Sequence, residues 1–312
     1  MTFLITAIGS MSAETVVKSL REAFPGCKII GTNIYPRDWL YVAKNVDVFF
    51  QIPRPSDKDY LSTIIDTVCK EVVDFIIPLT DPEVDILSEN RREIEKFSVR
   101  VALCDDNVIK FCRDKLLLFK HFSKSPKIDV IRTLGVKEVT NFDIQYPIVA
   151  KPRNGRSSEG LKYLNSEEEV RLLSEDYIIQ EFISGDIITV DIIRDRSGNV
   201  VCLPRRELIR TPNGAGISVM LFTDVKVESI VKEVADSLGI IGCMNIEFIQ
   251  HSNKYYLMDI NPRFSAGLGF SRLAGYDFVK NHISVFNDGT IYPIGQLTLG
   301  IASRCQFECL LG

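Results

Sequence analysis

Residues 245–264 read NIEFIQHSNKYYLMDINPRF. Two short apolar runs, Ile246 to Ile249 and Tyr255 to Ile260, flank a polar patch, which is the pattern of a β-hairpin. Each run carries a carboxylate, Glu247 and Asp259, where a sheet core would hold Val or Leu, and Asn-Pro-Arg follows the second at once. Side chains on a strand alternate faces, so Asn245, Glu247 and Ile249 share one face, as do Leu257, Asp259 and Asn261. A turn at Ser252-Asn253-Lys254, centred on Asn253, sets Glu247 directly opposite Asp259. Like charges across an antiparallel pair repel unless something positive lies between them. Glu247, Asp259 and Asn261 make an all-oxygen, doubly anionic set that suits Mg²⁺ rather than zinc, because no His or Cys joins it. A solvated sheet face, or a turn shifted by one residue, accounts for the same letters, so the rest of the chain has to decide.

Composition sets the frame. The chain has 312 residues, 46% hydrophobic and 25% charged, which leaves room for two or three domains with substantial cores. A net charge of −4 gives no nucleic-acid footprint, so no nucleic-acid partner is expected. The 8 cysteines are scattered, mostly in apolar runs and without a C-x-x-C, and read as buried, reduced thiols rather than as a zinc site. The N-terminus MTFLITAIGS lacks a basic region, and no apolar run is long enough for a bilayer. The expectation is a soluble, cytoplasmic protein without a membrane partner.

Upstream of the hairpin, the first third alternates strand and helix. Strands are expected at Phe3–Ile8, Lys28–Gly31, Val46–Ile52, Asp74–Leu79 and Val99–Leu103. Helices are expected after an N-cap at Ser12 and over Tyr60–Val72 and Pro82–Lys96. That alternation implies a mainly parallel, doubly wound sheet. Gly9-Ser10 is no G-x-G-x-x-G fingerprint, which counts against a dinucleotide enzyme. Thr80-Asp81, at the end of a strand, is the place to look for substrate. Next come a helix over Asn107–Lys124, the strand YPIVAK ending at Lys151, a loop RNGRSSEG (153–160) and a capping box Ser166–Glu169. The strand YIIQEFI (177–183) follows, then a strand-rich remainder with a helix Val225–Leu238 closed by Gly239.

Four further features carry candidate chemistry. Lys151 ends an apolar strand just before a loop whose Gly, Ser and Arg offer donors to phosphate oxygens, though an ordinary hairpin loop reads the same way. Asp114-Lys115 is, alone, a surface pair on a helix. YIIQEFISGD (177–186) is a strand and turn suited to a hinge that reads a purine edge, with Glu181 and Asp186 as polar groups. PRRELIRTPNGAG (204–216) puts Arg210 beside a Gly-rich bend, facing an anionic substrate or simply solvent.

Taken in order, these elements resemble the ATP-grasp superfamily over essentially the whole chain. The order is an α/β first domain, Asp114-Lys115, Lys151-Pro152, a flexible loop, Gln180-Glu181-Phe182-Ile183-x-Gly185, and Asn245-x-Glu247-Phe248 with Asp259-x-Asn261-Pro262-Arg263. The closing pair is the most specific, and is similar to the metal-binding strands of carbamoyl phosphate synthetase large chains and of carboxylate–amine ligases. The resemblance implies an α/β pre-domain over 1–110, a small α+β lid subdomain over 111–183 and a large subdomain with the metal site over 184–312.

It also implies roles. Lys115 and Lys151 would contact ATP phosphates, with the loop that contains Ser158 and Gly160 closing over them. Gln180, Glu181, Phe182 and Ile183 would hold adenine. Asp186 would reach a ribose hydroxyl, although the family often carries its acid one position later, where this chain has Ile187. Glu247, Asp259 and Asn261 would bind Mg²⁺, with Mn²⁺ as an alternative. Arg263 would steady the transferring phosphoryl group, with Lys151 and Arg210 as further catalytic residues. The implied activity is an ATP- and Mg²⁺-dependent ligase that activates a small carboxylate as an acyl phosphate for attack by an amine. A catalytically silent ATP-binding module that works through a protein partner is the alternative. One such core, without a glutaminase, counts against a complete carbamoyl phosphate synthetase. The substrates and the oligomeric state, a homo-oligomer included, are left open.

Overall fold

The computed structural model describes residues 1–139, 145–156, 159–305 and 307–311. Among them the strands form three sheets. The first holds β1 (Thr2–Ile5), β2 (Lys28–Asn33), β3 (Val48–Gln51), β4 (Phe75–Ile77) and β5 (Arg100–Val101), all parallel, in the order β3-β2-β1-β4-β5. The helices between them are α1 (Ala13–Ala23), α2 (Tyr60–Glu71), α3 (Asp81–Glu89) and α4 (Arg91–Ile94). Alternation along β1 shows why both faces need helices. Phe3 and Ile5 belong to one buried cluster and Leu4 to another. Strand order reverses between β1 and β4, and the crevice outside the strand ends at such a switch point is where open α/β sheets hold ligands.

The connecting segment corrects one expectation. Asn107–Lys124 is not a single helix but two, α5 (Asp106–Arg113) and α6 (Lys115–Phe122). Asp114 breaks the run because its extended backbone lets the side chain cap Leu117 N–H. Asn90 divides the expected helix Pro82–Lys96, its side chain capping no N–H and donating instead to the Ile86 carbonyl. Ser12 precedes α1 but makes no side-chain cap; its hydroxyl meets Ser10 instead.

A four-stranded antiparallel sheet follows, in the order β7-β10-β8-β9, from β7 (Thr133–Gly135), β8 (Ile148–Pro152), β9 (Lys162–Leu164) and β10 (Tyr177–Glu181). Ile148, Ala150 and Ile179 bury one of its faces with Val170 of α7 (Glu167–Arg171). The Ser166 hydroxyl accepts from Glu169 N–H as a capping box requires, whereas the Glu169 carboxylate accepts from Asn165 N–H, one residue before the cap. A short strand, β6 (Asp129–Val130), leaves this segment to pair with the third sheet.

The third sheet runs β16-β13-β12-β11-β14-β15-β6. Its members are β11 (Asp186–Arg194), β12 (Val200–Arg210), β13 (Gly216–Leu221), β14 (Gly242–His251), β15 (Lys254–Asn261) and β16 (Gly300–Ser303). One face, with Ile188, Val190, Ile246 and Phe248, packs on α8 (Val225–Leu238). The other carries Ile193, Leu203 and Cys243 toward α9 (Leu268–Leu273), α10 (Phe278–Phe286) and the first domain. His282 stitches that contact: it accepts from Cys243 N–H at Nδ1 (2.9 Å) and meets the Ala102 carbonyl at Nε2 (3.0 Å). All cysteines are free, but Cys69, Cys305 and Cys309 are exposed, against the expectation of burial, because they lie on a helix surface and in the C-terminal segment.

Candidate active site

The hairpin is formed by β14 and β15, and Glu247 does face Asp259. The route differs from the one expected. The turn is the two residues Ser252-Asn253, both with positive φ (47° and 62°), and Lys254 already pairs with His251. That turn by itself offsets the pairing by one residue. A bulge between Glu247 and Phe248 restores it: Leu257 opposes Phe248, Asp259 opposes Glu247, and Met258 is the extra residue. Leu257 therefore lies in the core with Phe248, not beside Asp259 as strict alternation predicts.

Register extends the row across the sheet. Asp259, Glu247, Thr189 and Arg205 form one rung over β15, β14, β11 and β12, and Asn261, Asn245 and Asp191 form the next. This polar floor faces a cavity of about 1420 Å³ bounded by all three sheets. Single-ligand pockets span roughly 300–1,000 Å³, so the space suits two ligands rather than one.

Side-chain cations converge on the paired carboxylates. Lys115, buried at the first position of α6, places Nζ 2.9 Å from Asp259. The break at Asp114 gives it that direction. Arg210 reaches Glu247 at 3.0 Å and donates to the Gly214 carbonyl, so it turns to the floor rather than to a free anion. Bulge geometry in β12 between Glu207 and Arg210 aims it there. Lys151 donates to the Met258 carbonyl at 3.4 Å and lies over the Phe119 ring. Desolvation pushes the Lys151 ammonium down to about 8, with Asp259 opposing and Lys115 reinforcing the shift. Burial raises the Glu247 carboxyl, Arg210 pulls it back, and Asp259 pushes it further up.

Arg263 is held from another domain. Its Nε and an Nη lie 2.9 and 2.8 Å from the two oxygens of Asp81, in the fork geometry of a bidentate pair. Asp81 also takes Arg113 at 2.8 Å, and Arg113 takes Asp85 at 2.7 Å. Asp81 is buried, yet the Arg263 and Arg113 guanidinium groups outweigh desolvation and hold its carboxyl well below the usual range. Thr80 lines the cavity as expected of a strand-end residue, but the Asp81 carboxylate is spent on arginines rather than open to substrate.

The remaining candidates divide. Gln180, Glu181, Phe182 and Ile183 all line the cavity, and Gln180 is fixed by a bond to the Thr133 hydroxyl (2.8 Å). Gly155 lines it too, with the loop tethered by a double Arg153–Asp114 pair (2.6 and 2.7 Å) and by Arg156 to Asp85 (3.3 Å). Gly160 does not line it. At φ +71° it makes the turn, where a Cβ would come within 2.8 Å of Pro152 and 2.9 Å of the Tyr177 hydroxyl. Asp186 pairs with Arg206 (3.2 Å) away from the cavity, while Ile187 lines it. Ser158 lies outside the described residues. Asn261 donates to Asn245, which in turn donates to the Arg263 carbonyl, so the rung also braces the Asn-Pro-Arg turn.

Pattern reading missed Arg205 and Glu207, which line the cavity, and Asp191, buried behind them. Arg205 is 2% exposed and binds Asp191 (2.8 Å), Glu207 (3.1 Å) and the Ser265 hydroxyl (3.1 Å). The available signal was Asp191 inside the apolar run ITVDII, the same anomaly that drew attention to Glu247.

Two family models match. One, described as an ATP-grasp domain, covers residues 112–267, half of the chain. The chain belongs to the ATP-grasp family. The other, a PylC-like N-terminal domain, covers residues 3–102, so the two together take in both the parallel-sheet domain and the cavity floor. Among curated relatives, the carbamoyl phosphate synthase large chain of Campylobacter jejuni is 22% identical over 223 residues, 64% of this chain and 20% of that one. Tyramine–L-glutamate ligase of Methanocaldococcus fervens is 23% identical over 240 residues, 75% of this chain and 74% of that one. The chain thus spans about a fifth of the length of the carbamoyl phosphate synthase large chains it matches. A solved biotin carboxylase domain of Hydrogenobacter thermophilus 2-oxoglutarate carboxylase, in complex with MgADP, superimposes with a TM-score of 0.77 at 19% identity, over 94% of this chain and 71% of that one. The fold class expected from the ATP-grasp motifs is the fold found. No described helix is long and apolar enough to cross a membrane.

Proposed function

We propose that this protein is an ATP- and Mg²⁺-dependent ligase that joins a small carboxylate to an amine by way of an acyl phosphate. The observation that supports it most is the Glu247–Asp259 pair facing one cavity with Lys115 and Lys151 beside it. The donor set fits the metal. It is all oxygen, and two side-chain cations already balance its two negative charges, which shows a place where positive charge is stabilised. Among the described residues no three His, Cys, Asp or Glu side chains gather as ligands; Asn261, on the next rung with its amide nitrogen on Asn245, is the third oxygen-bearing side chain of the set in this reading.

When bound, Mg²⁺ supplies charge neutralisation on the phosphates. The chain's own residues do the rest. Lys115 and Lys151 exchange their present oxygen partners for phosphate oxygens. Gln180 and the 181–183 backbone hold the base, and Tyr163 with Phe182 (ring centroids 5.9 Å apart) flanks it. Arg263, clamped by Asp81, keeps its guanidinium fixed beside the reacting groups. The size of the cavity and its arm at the β1/β4 switch point, where Ser10 and Thr80 sit, leave room for the carboxylate and the amine next to the nucleotide.

The test is to mix protein, MgATP, a carboxylate panel that includes L-glutamate, and hydroxylamine. Acyl hydroxamate and ADP are the expected products. No ADP release with any carboxylate rules the ligase out. One observation favours a second reading, an ATP-binding module without turnover: Arg263 and both carboxylates are already engaged by protein partners. Calorimetric ATP binding without hydrolysis under every condition would select that reading.

A further inference from the structure

Glu207 stands out on the floor as a carboxylate with half of its bonding capacity unused. Its side chain is 2% exposed, and Oε1 takes the Arg205 Nε at 3.1 Å. Among the described residues Oε2 has no hydrogen-bond partner. A buried carboxylate oxygen left without a donor is costly, and a fold tolerates it where a ligand completes the bond.

The surroundings of Oε2 fit a ligand better than a structural role. Glu207 and Gly216 both line the cavity, and Oε2 lies close against the Gly216 backbone, where a Cβ would come within 2.3 Å of it. The nearby arginines are committed elsewhere. Arg205 is shared with Asp191 and Ser265, Arg210 with Glu247 and Gly214, and Arg304 donates to the Ala266 carbonyl and lies over Phe270. Glu207 is also well placed relative to the metal rung. It sits on β12, two strands from Glu247, and at about 4.8 Å per strand that is roughly 10 Å across the sheet. A second substrate attacking a phosphate-activated carboxyl group has to lie within reach of the metal rung, and Glu207 shares the cavity floor with it.

We propose that Glu207 binds the primary amine of the second substrate and accepts its proton, an inference that rests on the ligase reading above. One ammonium proton passes to Oε2 and frees the nitrogen lone pair. The nitrogen then bonds to the acyl carbon while the carbon–oxygen bond to the phosphate breaks. Phosphate leaves with that electron pair and takes the second nitrogen proton, and Glu207 returns its own to solvent.

Hydroxylamine, neutral near physiological pH, needs neither an ammonium anchor nor a proton acceptor, so it separates the two steps. With MgATP and a carboxylate that yields hydroxamate, amide formation is measured with tyramine, L-lysine and a panel of other primary amines. Glu207→Gln is expected to lower amide formation at least tenfold more than hydroxamate formation, with much of the loss in KM for the amine, and Glu207→Asp to recover part of it. Gly216→Ala keeps the carboxylate that Arg205 needs but crowds Oε2, and it is expected to show the same selective loss, which covers the case of a Gln variant that does not fold. Equal losses in both reactions would overturn the assignment, as would a wild type that makes hydroxamate but joins no primary amine. Absence of hydroxamate with every carboxylate would instead remove the ligase reading itself.

Discussion

Two charged contacts border the cavity, and they arise from the chain in opposite ways. Glu247 and Asp259 are twelve residues apart, on adjacent strands of one hairpin, and repel. Asp81 and Arg263 are 182 residues apart, in different domains, and attract. The repelling pair is neutralised by Lys115 on Asp259 and Arg210 on Glu247, and in the ligase proposed above its charge serves the metal. The attracting pair fixes a guanidinium that lines the cavity. Residues at a site can therefore look equally charged and yet do different work, and the partner distinguishes them.

The largest test of that contrast is Asp259→Asn. It removes a charge from the rung but keeps its shape, and metal-dependent ADP release is expected to fall about a hundredfold or more. The melting temperature should move little beside that loss, since relief from Glu247 offsets the lost Lys115 contact. Wild-type rates in this variant would refute the metal assignment.

Asp81→Asn should do the reverse. It leaves Arg263 without a carboxylate and Arg113 with Asp85 alone, both half-buried, at a cost of about 3 kcal/mol in urea unfolding. The pH dependence follows with the same sign. Because the folded-state carboxyl lies below its unfolded value of about 3.9, its contribution is complete above that pH and is lost as pH falls further. The variant should therefore lose less stability than wild type on acidification below about pH 4.

His282 gives a smaller cross-domain effect. Burial lowers it from 6.5 to about 4, against the Ala102 carbonyl, so the neutral ring is the folded form. Its contribution is full above pH 6.5 and declines toward pH 4 as the unfolded chain binds the proton, by at most about 3 kcal/mol. His282→Gln should flatten the stability profile over that window. An unchanged slope would place the acid sensitivity elsewhere.

The smallest effect is expected from deleting Met258. The deletion removes the bulge yet leaves Leu257 opposite Phe248 and Asp259 opposite Glu247, so unfolding should cost only about 1 kcal/mol. Lys151 loses its carbonyl partner, and the Lys151 ammonium is then freer to move. A loss of several kcal/mol would show that the bulge itself, rather than the opposition of carboxylates, is what the hairpin needs.

Much of the architecture was legible because its determinants are local. The doubly wound first domain follows from alternating runs such as FLI and FII, and α8 was bounded by Asp224 and Gly239 at the expected residues. The site was legible only in part. Glu247 opposite Asp259 was reached through two errors that cancelled, a turn one residue too long and a bulge not foreseen. Asp114 as a helix break, and hence the direction of Lys115, was missed because a continuous apolar pattern outweighs one capping side chain in any periodicity count.

By itself the sequence determined the order of elements, the carboxylates set into β14 and β15, and the oxygen-only chemistry of their ligands. Those depend on alternation and spacing over a dozen residues, which the chain carries wherever it goes. Only the tertiary structure decided that Asp81 clamps Arg263, that Arg210 turns inward to Glu247, and that Glu207 keeps one oxygen without a partner among the described residues. Each of those outcomes depends on which buried charge meets which across strands or domains, and desolvation makes that pairing decisive while leaving no trace in local pattern.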